Sequence, residues 1–189
     1  MIIKKYSVII FIYEFYIDIG EIMSLYRVKQ FLWAIESNFK RIDYDYLRKY
    51  LNSDEIKLFD TLKHNDKHHC IRVCKDSILM KEQENIDVDD FKLAKAALLH
   101  DIGKSKFKLN IFEKSIVVLL DKATNGKINK YDNIKQIDIY YNHPKIGEKI
   151  LRKYNYDEEF LQVIKQHHNY NYDNNNKILE IISKCDNKN

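Results

Sequence analysis

His100 and Asp101 are adjacent in the run His100-Asp101-Ile102-Gly103-Lys104, and both side chains can ligate a metal. Neighbouring helical residues point about 100° apart, so such a pair rarely serves one core or one surface. It can face a shared cleft if the helix ends there, and Gly103 is the residue expected to end it. Further candidate ligands lie upstream at His69 and downstream at His143, His167, His168 and Asp186. Imidazoles and carboxylates without a thiolate suit a divalent transition metal of borderline hardness; Fe, Mn, Zn, Co and Ni all fit. The set is too large for one tetrahedral structural zinc and large enough for two ions with open positions.

Helices must carry these residues. Gly (4) and Pro (1) are too scarce for the turns of a sheet protein, and apolar residues recur at spacings of three and four. The expected fold is therefore all-α, a single helical bundle. An AT-rich codon bias also shapes this composition: Lys, Asn, Ile and Tyr abound, and only 5 of the 32 basic residues are Arg. The periodicity predicts helices over 25–39, 66–83, 88–102, 110–122, 157–168 and 176–186, with a loop over 122–132. Ser53 is the expected N-cap of another helix. Pro144 fits the first turn of a helix running to about residue 153, which would put His143 at its N-cap. The stretch 88–102 places Phe91 on the apolar face with Ala94, Ala97, Leu98 and Ile102.

The candidate ligands fall on apolar stripes or helix ends. Phe160, Val163, Ile164 and His167 share one stripe, and Leu179, Ile182 and Asp186 share another. A carboxylate or imidazole on such a stripe needs a partner, because burying it bare is costly. One such His alone is ordinarily a hydrogen-bonded core residue, and Asp186 alone would read as a surface residue. Several together argue for one shared site. His64 and His68 are expected at the surface. Cys70 and Cys74, one helical turn apart, read as small core residues in preference to ligands.

The bulk properties set bounds. A chain of 189 residues with 45% hydrophobic and 13% aromatic residues buries a core without staples. The net charge of +4 is compatible with a small phosphate-bearing substrate and gives no case for nucleic acid. Three cysteines without a framework spacing point to reduced thiols and a cytoplasmic location. Residues 6–13 are too short an apolar run to span a bilayer and lack a cleavage site, so no membrane partner is expected. Gly20-Glu21, just before Met23, would be encoded by codons able to spell a bacterial ribosome-binding sequence. Residues 1–22 are therefore either a mis-annotated leader or a flexible extension, and 23–189 form the domain. Nothing in the sequence sets the oligomeric state.

The ordered motifs resemble the HD superfamily of metal-dependent phosphohydrolases, in its HDIG-type branch. His69-Cys70-Ile71-Arg72-Val73 is similar to the first motif, and Ala96 to Lys104 to the central one. His143-Pro144-Lys145-Ile146-Gly147 resembles the third, Ile164 to His168 the fourth, and Cys185-Asp186 ends where that family has its last Asp. The motif core spans 66–189. The resemblance implies that His69, His100, Asp101 and Asp186 hold a first metal. Asp101 would bridge to a second held by His143, His167 and His168, and Lys104 would contact substrate phosphate. It implies hydrolysis of a phosphoester or pyrophosphate bond, of a nucleotide by family analogy, through a metal-activated hydroxide. The alternative is a non-catalytic nucleotide-sensing or signalling module. Asn169-Tyr170-Asn171 replaces the Gly-Tyr-Pro segment of cyclic-di-GMP phosphodiesterases, so that subfamily is not expected. The long stretch from Lys104 to His143 would be a lid or a specificity element.

Overall fold

Short polar side chains start most of the helices by taking up backbone N–H groups that have no partner of their own. Asp43 caps α1 (Tyr44–Arg48), Asp89 caps α4 (Asp90–Leu99), Asp157 caps α7 (Glu158–Gln166) and Asn176 caps α8 (Lys177–Lys188). Reciprocal capping boxes open α2 (Ser53–Phe59) through Asn52 and Glu55, and α5 (Ile111–Ala123) through Asn110 and Glu113. Asn52, and not Ser53, is thus the N-cap, because the Asn52 side chain accepts from both Asp54 and Glu55 N–H. The long helices α3 (His64–Gln83) and α6 (Lys135–Leu151) start without a side-chain cap. The computed structural model describes residues 40–169 and 176–189, apart from the side chains of residues 111 and 112. The helix expected over 25–39 and the leader expected over 1–22 lie outside the described residues.

The elements form an all-α bundle with no strand among the described residues. α3 packs along α4, α6 along α7, and α8 closes against α3, α4 and α7. Their apolar faces meet in one core that includes Phe59, Leu93, Leu98, Leu99, Ile164 and Ile182, each almost fully buried. A smaller apolar cluster of Val117, Ile128 and Ile137 seats α5 and the 3₁₀ helix Lys127–Tyr131 against α6. That 3₁₀ helix lies inside the stretch expected to be loop. Tyr140 and Tyr141 of α6 donate to Asp121 of α5, fastening the far end of the inserted helix.

Two expectations about helix ends are corrected. The helix expected over 88–102 stops at Leu99, and a 3₁₀ helix, Ile102–Lys106, follows. Gly103 therefore does not end α4 through a left-handed conformation. Its absent side chain instead lets the 3₁₀ helix lie against α6, where an added Cβ would meet the His143 carbonyl oxygen at 1.9 Å. Pro144 sits inside α6, not at its start, and His143 is a mid-helix residue. A proline there leaves the Tyr140 carbonyl without the backbone donor it would find four residues on. His143 Nδ1 supplies a substitute, lying 3.0 Å from that oxygen and 3.0 Å from the Ile139 carbonyl. Phe91 is half exposed and packs its ring against Tyr50 at the bundle's edge instead of entering the core.

Candidate metal centre

Five elements deliver the candidate ligands to one place. α3 contributes His69, the end of α4 His100 and Asp101, α6 His143, the end of α7 His167 and His168, and α8 Asp186. The most distant pair in sequence is among the nearest in space: His69 Nε2 lies 2.8 Å from Asp186 Oδ1. The positions fall into two groups that could each hold a metal, His69–His100–Asp186 and Asp101–His143–His167–His168.

Asp101 stands between the two groups. Its Oδ2 is 3.5 Å from both His69 Nε2 and His100 Nε2. Its Oδ1 is 3.2 Å from His143 Nε2 and 3.9 Å from His167 Nε2. Each carboxylate oxygen thus faces a different set of imidazoles. Asp186 Oδ1 lies 3.5 Å from His100 Nε2, and its Oδ2 lies 3.4 Å from His168 Nδ1. His168 Nε2 in turn is 3.2 Å from His143 Nε2.

Backbone carbonyls set which ring nitrogen faces inward. His100 and His167 each follow the last residue of a helix, where carbonyls lack intrahelical donors. Their Nδ1 atoms turn back onto Ala97 O at 2.8 Å and Ile164 O at 2.6 Å. A carbonyl oxygen only accepts, so Nδ1 carries the hydrogen, and in the neutral ring Nε2 keeps its lone pair for a metal. His143 does the same from within α6. Ser183 Oγ of α8 donates to the His167 carbonyl at 2.8 Å, which fixes the end of α7 against α8.

The inward atoms are left wanting. His100 Nε2, His167 Nε2 and Asp101 Oδ1 are buried and have no hydrogen-bond partner. Orphaned buried polar atoms are rare in folded proteins, because each forfeits its hydration without compensation. A divalent cation would supply the missing partner to all three, so the donor set fits the group. The ligand chemistry agrees, being imidazole and carboxylate. Cys70 is buried beside His100 and Asp101 and forms a third group of potential ligands with them. All three cysteines are free and buried, as expected of core residues. His64 and His68 lie at the surface, partly covered where both rings bond the Lys40 carbonyl; neither belongs to the ligand groups.

The electrostatics follow from crowding like and unlike charges in a dry site. Burial alone would raise the Asp101 carboxyl, but the Lys104 ammonium and His100 hold it well below the usual range. Burial is likewise outweighed at Asp186 by the adjacent His100 and His69 imidazoles, which lower it. His143 and His167 are lowered, first by burial, and then by Lys104 at His143 and by the surrounding imidazoles at His167. His168 falls to about 4 through desolvation and His143, even though its side chain keeps 42% of its surface exposed. His100 runs the other way: burial disfavours its charge, but Asp101 more than reverses this and raises it.

These shifts have a consequence for the metal-free protein. A histidine with a depressed folded pKa takes up its proton more readily when unfolded. Its contribution is present above the ordinary imidazole value of about 6.5 and is lost as the pH falls below it. His143, His167 and His168 act in this sense, as does His68 outside the cluster. His100 opposes them, its contribution being full below about 6.5 and lost as the pH rises through its folded value. With four groups against one, stability in chelator is expected to fall as the pH drops from about 7 to about 5. Thermal unfolding across that range checks it; a melting temperature that rises toward acid would contradict it.

Lys104 contacts Asp101 Oδ2 and keeps 25% of its side chain exposed, at the rim of the cluster. Asp66, on α3 one turn before His69, is buried and paired with Lys114 of α5. No sequence pattern signals that pair, because charges 48 positions apart on separate helices share no local pattern.

All the residues singled out from the sequence as ligands, together with Lys104, are thus brought together. The family model of the HD domain matches the chain over residues 67–188. No curated protein and no solved structure matches it. The matched span runs from just before His69 to just past Asp186 and holds the whole cluster, and the chain belongs to the HD domain family.

Proposed function

We propose that the protein is a metal-dependent phosphohydrolase that cleaves a phosphoester or pyrophosphate bond, with a nucleotide as substrate. The observation that carries this reading is the shared carboxylate: Asp101 presents one oxygen to each of two imidazole groups, amid buried atoms that lack partners. His69, His100, Asp101 and Asp186 would hold a first ion. Asp101, His143, His167 and His168 would hold a second. When bound, divalent metal supplies Lewis acidity that lowers the pKa of water toward neutrality and offsets phosphoryl charge.

The chain's own residues do the rest. Carbonyl contacts at Ala97, Ile139, Tyr140 and Ile164 hold three imidazoles with Nε2 inward. Burial of Asp101 and His100 excludes bulk water from the reacting centre and strengthens every charge interaction within it. Lys104 is placed to donate from Nζ to a phosphoryl oxygen, a compact charge suited to phosphate. In the hydrolysis, one water adds to phosphorus, the bond to the leaving oxygen breaks, and that oxygen departs with a proton. A cytoplasmic location is part of the proposal and is supported by the free, buried thiols. Among the described residues, no helix is long and apolar enough to cross a membrane.

Metal analysis of protein purified without chelator, joined to phosphate release from a panel of nucleotides with Mn or Fe supplied, tests the proposal. Metal near one or two ions per chain with turnover is the expected result. Metal and tight nucleotide binding without product would overturn it in favour of a sensing module.

A further inference from the structure

The inserted helix α5 brings a second cation to the rim of the centre. The Lys114 ammonium contacts Asp66 Oδ1. Asp66 lies three residues before His69, and residues at that spacing share a helix face about 5–6 Å apart. His69 Nε2 lies 3.5 Å from Asp101 Oδ2, the oxygen that Lys104 contacts. Asp66 and Asp101, each a neighbour of His69, thus hold one ammonium apiece, from different segments. Lys104 is already matched by Asp101, and Lys114 reaches Asp66 from across the chain. Both lysines keep part of their surface in solvent, 25% for Lys104 and 28% for Lys114. An ammonium carries three N–H donors, so a single carboxylate oxygen leaves donors for an arriving anion.

α5 holds Lys114 firmly. Next to it, Glu113 closes the capping box and accepts from Gln136 Nε2 of α6 at 3.2 Å. At the far end Asp121 is held by Tyr140 and Tyr141. A cation on a helix fastened at both ends loses little freedom when it binds, which favours its use in recognition.

We infer that Lys114 is a specificity-determining residue: with Lys104 it forms a two-ammonium cradle for a substrate that carries a second phosphate beyond the one hydrolysed. This rests on the phosphohydrolase reading above and narrows its substrate class to diphosphates and their longer relatives. A Lys114 that only neutralised Asp66 would affect every anion alike; a cradle affects the second phosphate selectively.

Calorimetric titration of the full-length, metal-loaded protein with inorganic phosphate and with pyrophosphate separates the two. The native protein is expected to prefer pyrophosphate. Lys114→Ala is expected to cut that preference about ten- to hundredfold, the worth of one charge-assisted hydrogen bond. Lys114→Arg is expected to restore part of it, and the ratio of kcat/KM for a nucleoside diphosphate over its monophosphate should move in parallel. Should Lys114→Ala fail to fold, the paired change Asp66→Asn with Lys114→Gln removes the buried charge and its partner together. An unchanged preference at equal metal content, or equal loss for both anions, overturns the inference. If the native protein releases phosphate from no compound, the phosphohydrolase reading fails instead, and the anion titration still decides the cradle.

Discussion

Asp101→Ala is expected to strip the centre of most of its metal and to lower phosphate release by more than about a hundredfold, since even changes to groups behind the ligands cost 10- to 100-fold. The size of the effect follows from position. Asp101 is fully buried, and its two oxygens face the two imidazole groups, at 3.5 Å on one side and 3.2 Å on the other. Under the proposed two-ion reading, its removal would take a ligand from each ion and the negative charge between them. Asp101→Asn keeps the shape but offers one neutral acceptor oxygen, so it should fall nearly as far. The contrast with His168→Ala is informative. His168 is the most exposed of the ligand set and belongs to one group only, so its loss should cost less metal and less activity. Metal content by elemental analysis and rate by phosphate release, with circular dichroism as the folding control, check all three. Full activity in Asp101→Ala would end the assignment.

Gly103→Ala is expected to destabilise the protein strongly for a change of one methyl group. A Cβ at Gly103 would lie 1.9 Å from the His143 carbonyl oxygen, 2.7 Å from Gly147 N and 2.8 Å from the His143 carbonyl carbon. All three obstacles are backbone of one helix, so no rotamer change relieves them. α6 would have to move away from the 3₁₀ helix, and His143 would move with it. A forced separation of packed backbones should cost about 3 kcal/mol or more. At the usual 2–4 °C per kcal/mol for a chain of this size, that lowers the melting temperature by about 6 °C or more. Gly147→Ala is the control. Its nearest neighbours would be Gly103 N at 3.2 Å and the Ile164 and Ile102 methyls at 3.2 and 3.4 Å, contacts that yield by small shifts. Thermal unfolding in chelator separates these effects from metal loss, and equal melting temperatures for the two variants would contradict the account.

The fold class and the convergence of the candidate ligands were legible because they rest on patterns the chain repeats. Stripes such as Phe160–Val163–Ile164–His167 state both a helix and which face is buried, and the structure buries each of those residues. A polar residue continuing such a stripe advertises a partner, and that is why His167 and Asp186 could be placed in one site from spacing and chemistry alone. The helix boundaries around the site were misread where a local rule met a tertiary need. Proline is favoured in a first turn, but in α6 the His143 side chain takes the place of the missing donor, and the helix continues through residue 144. Glycine often ends a helix, but Gly103 answers the closeness of another helix instead. Asn52 and Ser53 are both good caps, and only the capping box with Glu55 decides between them. The Asp66–Lys114 pair was beyond reach, since it depends on how α5 lies over α3 and on no periodicity.

The arrangement at His143 bears on any effort to make this protein sturdier. Pro144 looks like a flaw to be repaired, and replacing a mid-helix proline is among the first moves an engineer would try. An alanine there would bring its own N–H to the Tyr140 carbonyl and contest one of the two oxygens that now steady the imidazole. The same substitution that tightened the backbone would leave a ligand freer to swing, so gains in heat tolerance at this position should be bought with a looser grip on the cation.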